Sequence, residues 1–154
     1  MRVVIDANLI AALVLPLPYA EQATRMIGDW QRTGVELLAP TLLGYEVAAI
    51  LRKAVTAGWL TTDLAVEVVG EIEALDLHSV PPTVELHGRA LRWAERLGQS
   101  KTYDAHYVAL AEQEGCVLWT ADRRLARGAQ QIGAHWVRWI GDVAGVASER
   151  EGDL

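Results

Sequence analysis

The sequence is poor in cysteine, because Cys116 is the only one among 154 residues. No intramolecular disulfide bond and no cysteine-based metal cage can therefore form, which fits a reducing compartment. Cys116 begins a short apolar run at residues 116–119, so we predict a small buried side chain there rather than a reactive thiol. Stability must come from a hydrophobic core, for which a hydrophobic fraction of 51% is ample.

Long hydrophobic runs are also lacking. The N-terminal segment is apolar, but Asp6, Asn8, Pro16 and Pro18 follow one another closely within it. No run reaches the ~20 residues that a membrane span needs. We therefore predict a soluble cytoplasmic protein with no signal peptide and no membrane partner. The length is typical of one domain, which we place at residues 1–140, followed by a short mobile tail at 141–154.

Positive charge is in deficit, since the formal net charge is −6. That deficit argues weakly against a nucleic-acid partner, but local fields matter more than the sum. Three basic clusters are our candidates for phosphate contact, since arginine suits bidentate phosphate binding. They are Arg52 with Lys53; Arg89 with Arg92 and Arg96; and Arg123 with Arg124. The alternative for Arg89, Arg92 and Arg96 is a solvated helix face, and the alternative for Arg123 and Arg124 is that they are ordinary residues of a first helical turn.

Hydrophobic periodicity predicts short strands that alternate with helices. The predicted strands are residues 2–5, 35–39, 77–80, 116–120 and 135–139. The predicted helices are a short one ending at residue 13 and then 19–32, 42–57, 61–74, 83–97, 104–114 and 122–132. This alternation is typical of an α/β fold with a parallel sheet and helices on its faces.

Three aspartates lie at the ends of predicted elements. Asp6 follows the first strand, Asp122 lies two residues beyond the strand that ends at Thr120, and Asp104 opens a helix after a loop. Ligands of open α/β sheets bind at the carboxyl ends of strands. Asp6 and Asp122 therefore face one edge if their strands are parallel neighbours. Each aspartate also fits the ordinary role of a helix N-cap, and a capping carboxylate still has a second oxygen for a metal ion.

Glu46 differs from these aspartates because it lies inside a predicted helix. At the helical repeat it falls within about 40° of Ile50, so it borders the apolar face of that helix. A carboxylate at this border loses hydration unless a cation or a hydrogen-bond donor compensates it. Glu46 is therefore a candidate metal ligand, and the alternative is that its side chain reaches into solvent.

The four acids lie in short motifs that resemble those of the PIN-domain family, in particular its VapC-type toxins of type II toxin–antitoxin systems. The motifs are VIDAN at residues 4–8, YEV at 45–47, YDA at 103–105 and LWTAD at 118–122. Successive acids are about 40, 58 and 18 residues apart, and the resemblance extends from residue 1 to about residue 139. The chain departs from the family pattern in being somewhat long and acidic.

The resemblance implies a PIN-like three-layer α/β sandwich with a central, mostly parallel sheet and a metal-dependent nuclease site. By position, Asp6, Glu46, Asp104 and Asp122 match the acidic quartet. Asn8 and Thr120 match the accessory polar positions. It also implies an endoribonuclease whose products carry 5′-phosphate and 3′-hydroxyl ends, a small antitoxin that silences the site, and a homodimer.

Phosphodiester hydrolysis gives these residue types a chemical reason. Mg²⁺ prefers oxygen ligands, and converging carboxylates need a cation to offset their mutual repulsion. None of the four motifs contains a histidine or lysine as general base, so we infer that a metal-activated water is the nucleophile. We expect Mg²⁺, with Mn²⁺ as a substitute, as one or two ions. Asp6 and Asp104 would hold the main ion, and Glu46 and Asp122 would complete the site or bind the second.

Two other families with acids at strand ends fit less well. A haloacid-dehalogenase phosphatase needs a second aspartate where Asn8 stands, and a receiver domain needs an acidic pair near the first strand and a strand-end lysine, neither of which we find. A non-catalytic metal- or peptide-binding module, and a PIN-like nuclease that acts on DNA or in RNA processing, are the alternatives that we retain. The four histidines show no ligand-like spacing, and we assign them no role. Trp59, after Gly58, is the tryptophan that we expect to be exposed and to lie on a dimer or partner surface.

Overall fold

A computed structural model of the chain describes residues 1–143. The predicted tail at 141–154 therefore lies largely outside the described residues. The strands are β1 (Arg2–Ile5), β2 (Glu36–Pro40), β3 (His78–Val80), β4 (Val117–Thr120) and β5 (Val137–Trp139). The helices are α1 (Ala7–Ala11), α2 (Ala20–Thr33), α3 (Leu42–Thr56), α4 (Thr62–Glu73), α5 (Val84–Leu97), α6 (Tyr103–Glu114) and α7 (Arg123–Gln131), and a 3-10 turn follows at Ile140–Asp142.

The five strands form one sheet in the order β3-β2-β1-β4-β5, and each pairs in parallel with its neighbours. Val3, Val4 and Ile5 of β1 are all buried, although successive side chains of a strand point to opposite faces. Helices therefore cover both faces of the sheet, which confirms the predicted α/β sandwich. Within residues 1–143 no helix is long and apolar enough to cross a bilayer.

The order of the strands determines where a ligand fits. From β1 the chain proceeds to β2 on one side, and it later returns to place β4 on the other side of β1. This reversal leaves a crevice at the carboxyl ends of β1 and β4, which is the usual ligand position in an open α/β sheet. In register, Ile5 lies beside Trp119, so Asp6 and Thr120 continue at the same edge.

Local signals predicted the bounds of the strands and helices to within two residues. The structure differs from the sequence predictions at one helix cap and in the burial of one side chain. The helix that carries Asp104 begins one residue earlier, at Tyr103, and its N-cap position is occupied by Thr102. The alternative reading of Asp104 as an N-cap is therefore wrong. Cys116 precedes β4 and is half-buried rather than fully buried, because the strand begins at Val117.

Candidate active site

Asp6 is the most buried of the four acids, with 7% of its surface exposed. Its Oδ1 accepts a hydrogen bond from the backbone N–H of Leu9 at 2.9 Å, so it caps α1. Its Oδ2 accepts from the Thr120 hydroxyl and, at 3.2 Å, from the backbone N–H of Ala121. The pKa of Asp6 is raised to about 6, mainly by burial and to a smaller extent by the negative charge of Asp122. The three hydrogen bonds lower this pKa but do not offset the effect of burial.

Asp122 takes one of the two roles that the sequence left open, that of a helix N-cap. Its Oδ1 accepts from the backbone N–H of Leu125 at 3.0 Å, which caps α7. Its own N–H donates to the Thr120 hydroxyl oxygen at 2.9 Å. The fully buried Thr120 therefore bonds to the carboxylate of Asp6 and to the backbone N–H of Asp122, and its accessory role in the site stays a prediction.

Asp104 is the second residue of α6 and is partly buried. Burial is the main cause that raises the pKa of Asp104, and the nearby charge of Asp122 adds to it. Gln99 Nε2 donates to Asp104 Oδ2 at 3.4 Å. The sequence analysis did not find Gln99, because the loop before α6 carries no pattern that predicts its geometry.

Glu46 lies half-buried on α3, as its position beside the apolar face predicted. The hydroxyl of Tyr107 donates to Glu46 Oε1 at 2.6 Å. Burial raises the pKa of Glu46, and the charge of Asp104 contributes as well. Tyr107 is itself buried, and its pKa is raised by burial and by its bond to the carboxylate. The sequence analysis missed Tyr107, although its spacing of three residues from Asp104 places both on one face of α6.

The four carboxylates influence one another electrostatically. Negative charge on Asp122 raises the pKa values of Asp6 and Asp104, and charge on Asp104 raises that of Glu46. None of the four forms a salt bridge with a basic residue of the range 1–143. Such a cluster of hard oxygen donors, short of positive charge, fits a divalent cation such as Mg²⁺.

Three of the acids line a cavity of about 580 Å³. Its lining comprises Glu46, Leu97, Gly98, Gln99, Ser100, Lys101, Tyr103, Asp104, Asp122, Arg124, Leu125 and Gly128. Gly98 closes α5 in the left-handed conformation that favours glycine, with φ +67°, and so turns the chain into this wall. Among residues 1–143, no three acidic, histidine or cysteine side chains are already arranged as a metal-binding group.

Among the predicted accessory and basic residues named next, one lines this cavity and the others do not. Arg124 lines it, and Arg123 lies over the ring of Trp139, with 5.2 Å between the guanidinium carbon and the ring centroid. Asn8 is exposed on α1. Arg52 and Lys53 are exposed on the last part of α3.

The arginines of α5 have intramolecular partners. Arg89 pairs with Glu85 at 3.1 Å and with Glu112 at 3.4 Å. Arg96 donates to the carbonyl oxygen of Ile132 at 2.7 Å and lies over the ring of Trp93. These contacts engage the guanidinium groups of Arg89 and Arg96 within the fold, whereas Arg92 stays exposed.

Two further expectations concern aromatic and histidine residues. Trp59 is 55% exposed, which confirms its predicted exposure. His106 turns away from the acids, because its Nδ1 contacts the carbonyl oxygen of Thr102 at 2.6 Å and its Nε2 contacts His87 at 2.7 Å. Since a carbonyl only accepts hydrogen bonds, Nδ1 of His106 carries a proton.

Comparison with known proteins identifies the family. The family model of the PIN domain matches residues 3–130. Ribonuclease VapC3 of Pyrobaculum aerophilum is 40% identical over 130 residues, which cover 82% of this chain and 93% of that relative. The chain therefore belongs to the PIN-domain family.

Solved structures show the same fold. VapC20 of Mycobacterium tuberculosis, a toxin that cleaves the sarcin–ricin loop, aligns with a TM-score of 0.62 at 16% identity over 81% of this chain and 93% of its own. VapBC2 of Rickettsia felis, bound to a DNA fragment from its promoter, aligns with a TM-score of 0.65 at 10% identity over 90% and 98%. The chain is thus a homologue of a VapC ribonuclease with the fold of VapC toxins.

Proposed function

We propose that this chain is a metal-dependent endoribonuclease and the toxin of a toxin–antitoxin pair. The observation that carries the proposal is a set of four carboxylates near the carboxyl edge of a parallel sheet, each repelled by at least one of the others. None of them forms a salt bridge with a basic residue within 1–143. In a PIN-domain chain that is 40% identical to a ribonuclease, this set suits the hydrolysis of RNA phosphodiester bonds.

The carboxylates of Asp6, Glu46, Asp104 and Asp122 would hold Mg²⁺, with Mn²⁺ as a substitute, as one or two ions. When bound, the metal would supply an activated water and would offset charge on the leaving oxygen. The uncharged donors support this proposal, because Thr120 and two backbone N–H groups hold Asp6 in place while its charge stays uncompensated. Tyr107 holds Glu46 in the same way. Asn8 is proposed as an accessory residue that orients a water or a phosphate oxygen.

The proposed RNA contacts begin at α7. Arg123 and Arg124 directly follow Asp122, so they are the basic residues best placed to bind phosphates beside the scissile bond. Arg52 and Lys53 are proposed to contact RNA further along the strand. Arg89, Arg92 and Arg96 stay in the proposal as more distant contacts, of which exposed Arg92 is the best suited.

We further propose a small antitoxin as protein partner and a homodimer as the oligomeric state. The VapBC2 neighbour supports a partner, since that structure is named for a two-component VapBC assembly. An arginine from the antitoxin that reaches the acids would pair with a carboxylate and substitute for the charge of the metal. Co-purification from the native operon tests the partner, and light scattering of the purified chain tests the dimer.

The decisive experiment is cleavage of end-labelled structured RNA with Mg²⁺, with Mn²⁺ and with a chelator. We expect metal-dependent cutting by the wild type that both Asp6→Asn and Asp104→Asn abolish while the proteins stay folded. Glu36→Gln is the matched control, because Glu36 lies at the other edge of the sheet in an ion pair with Arg2. Cutting that survives both aspartate variants would overturn the proposal, and cutting of DNA alone would replace its substrate.

A further inference from the structure

The cavity beside the acids contains groups that hydrolysis at the carboxylates does not use. Tyr103, Lys101 and Arg124 line it together with Glu46, Asp104 and Asp122. We propose that this cavity is a subsite for one unpaired nucleotide of the substrate next to the scissile bond, with its base on Tyr103 and its phosphate between Lys101 and Arg124. The proposal rests on the ribonuclease function proposed above.

The side chain of Tyr103 is exposed to solvent at the start of α6. It is 58% exposed, whereas its α6 neighbours Ala105 and Tyr107 are almost fully buried. Burial in the core therefore does not explain this ring. An exposed aromatic ring in a polar cavity is a stacking surface for a nucleobase, and such stacking accepts any base because each has a π face.

The two cations complete the subsite. Lys101 and Arg124 are exposed and line the same cavity as Tyr103. Neither forms a salt bridge with any residue of the described part of the chain, in contrast to Arg89 and Arg127. Their charges therefore remain available for an anion. Because the carboxylates of the cavity repel a phosphate, a phosphate needs a metal ion or these two cations beside it in order to bind.

The combination of ring and cations favours an unpaired nucleotide over a duplex. A base stacks on a tyrosine only if it leaves its own helical stack, which a loop or a single strand permits at low cost. Tyr45 provides a matched comparison within the chain. It directly precedes Glu46 as Tyr103 precedes Asp104, and it is 83% exposed, but it does not line the cavity.

The test measures binding and cleavage separately. Binding of a fluorescein-labelled single-stranded RNA of mixed sequence, and of the same RNA annealed to its complement, is measured by anisotropy with chelator present. We expect Tyr103→Ala to weaken single-strand binding at least about fivefold, the lower end of what stacking on an aromatic residue contributes. Tyr103→Phe should restore it, and Tyr45→Ala and duplex binding should change little.

Lys101→Ala and Arg124→Ala test the phosphate contact. For a single strand, loss of one phosphate contact lowers the slope of log affinity against log salt by about 0.7. Arg32→Ala is the control with the same change of net charge, since Arg32 pairs with Asp29 in the last turn of α2. In cleavage with Mg²⁺, the three cavity variants should raise KM more than they lower kcat.

The outcomes distinguish this subsite from the proposed activity. If wild type cuts RNA but Tyr103→Ala binds and cuts as wild type does, the subsite is wrong and the ribonuclease stands. If wild type cuts nothing while the variants weaken binding as expected, the cavity stands as a nucleotide-binding site, and the ribonuclease activity is wrong together with the placement of the cavity beside a scissile bond. Equal loss in Tyr103→Ala and Tyr103→Phe would also overturn the stacking role. A melting curve for each variant confirms that it is folded.

Discussion

Carboxylates at the two edges of the sheet have opposite surroundings. At the amino edge, Glu36 and Glu114 both pair with Arg2, at 3.0 Å and 2.7 Å. At the carboxyl edge, Asp6 and Asp122 accept hydrogen bonds from uncharged donors, and no basic residue of the range 1–143 forms a salt bridge with them. Negative charge is therefore compensated by arginine at the amino edge and left without a cationic partner from residues 1–143 at the carboxyl edge, where we propose that a metal ion binds.

The largest effect on RNA cleavage is expected from substitutions of the acids of the candidate site. Asp6→Asn and Asp104→Asn should lower RNA cleavage at least about 100-fold, comparable with removing one charge-stabilising group from other active sites. Asp104→Asn should keep or raise the free energy of unfolding measured with chelator, because it removes a partly buried carboxylate that no cation compensates. Asp6→Asn replaces one of the two accepting carboxylate oxygens by an NH2 group that cannot accept, so it should lower the free energy of unfolding by about 1–3 kcal/mol while the protein stays folded. A loss of both stability and activity in Asp104→Asn would contradict the comparison.

The second prediction uses pH. Burial raises the pKa of Asp6 from 3.8 to about 6, so the folded state binds more protons than the unfolded state between these values. Without metal, the contribution of Asp6 to the free energy of unfolding should therefore fall by about 3 kcal/mol as pH rises from about 4 to about 6 and then level off. Denaturant titration of the wild type and of Asp6→Asn at a series of pH values measures this contribution as the difference between them, because Glu46 and Asp104, whose pKa values are also raised, are present in both. Adding Mg²⁺ should stabilise the wild type at neutral pH but not at pH 4.

The third prediction concerns the hydrogen bond that fixes Glu46. Tyr107→Phe removes the hydroxyl that donates to Glu46 Oε1 at 2.6 Å. Loss of a partner that orients a metal ligand typically lowers metal affinity about 10- to 100-fold, so the Mg²⁺ concentration for half-maximal cleavage should rise at least about tenfold. Tyr45→Phe, on the exposed part of α3, is the control. An unchanged metal requirement would show that the Tyr107 hydroxyl does not position a metal ligand.

The smallest effect is expected at the amino edge. Arg2→Gln breaks the pairs with Glu36 and Glu114, but half of the Arg2 side chain is exposed. Each exposed ion pair typically contributes at most about 1 kcal/mol, so loss of the two pairs should lower the free energy of unfolding by no more than about 2 kcal/mol, and cleavage should stay unchanged. A larger loss of stability, or any loss of cleavage, would show that the two edges are not independent.

Much of the site follows from positions in the sequence. Asp6 and Asp122 lie directly after buried strands, and the helical repeat places Glu46 beside the apolar face of α3. These features are local, so they were predictable. The contact of Tyr107 with Glu46 joins residues 61 positions apart, and its partner could not be identified before α3 and α6 were placed together. The pairing of Arg89 with Glu112 is equally non-local.

By itself, the sequence determined the alternation of strands and helices, the element bounds to within two residues, and which acids end strands. These depend on hydrophobic periodicity and on caps, which act over a few residues. Only the tertiary structure decided that β4 lies beside β1, that Thr120 bonds to both Asp6 and Asp122, and that Tyr103, Lys101 and Arg124 share one cavity with the acids. The reason is that burial, charge compensation and cavity shape arise between segments that are distant along the chain.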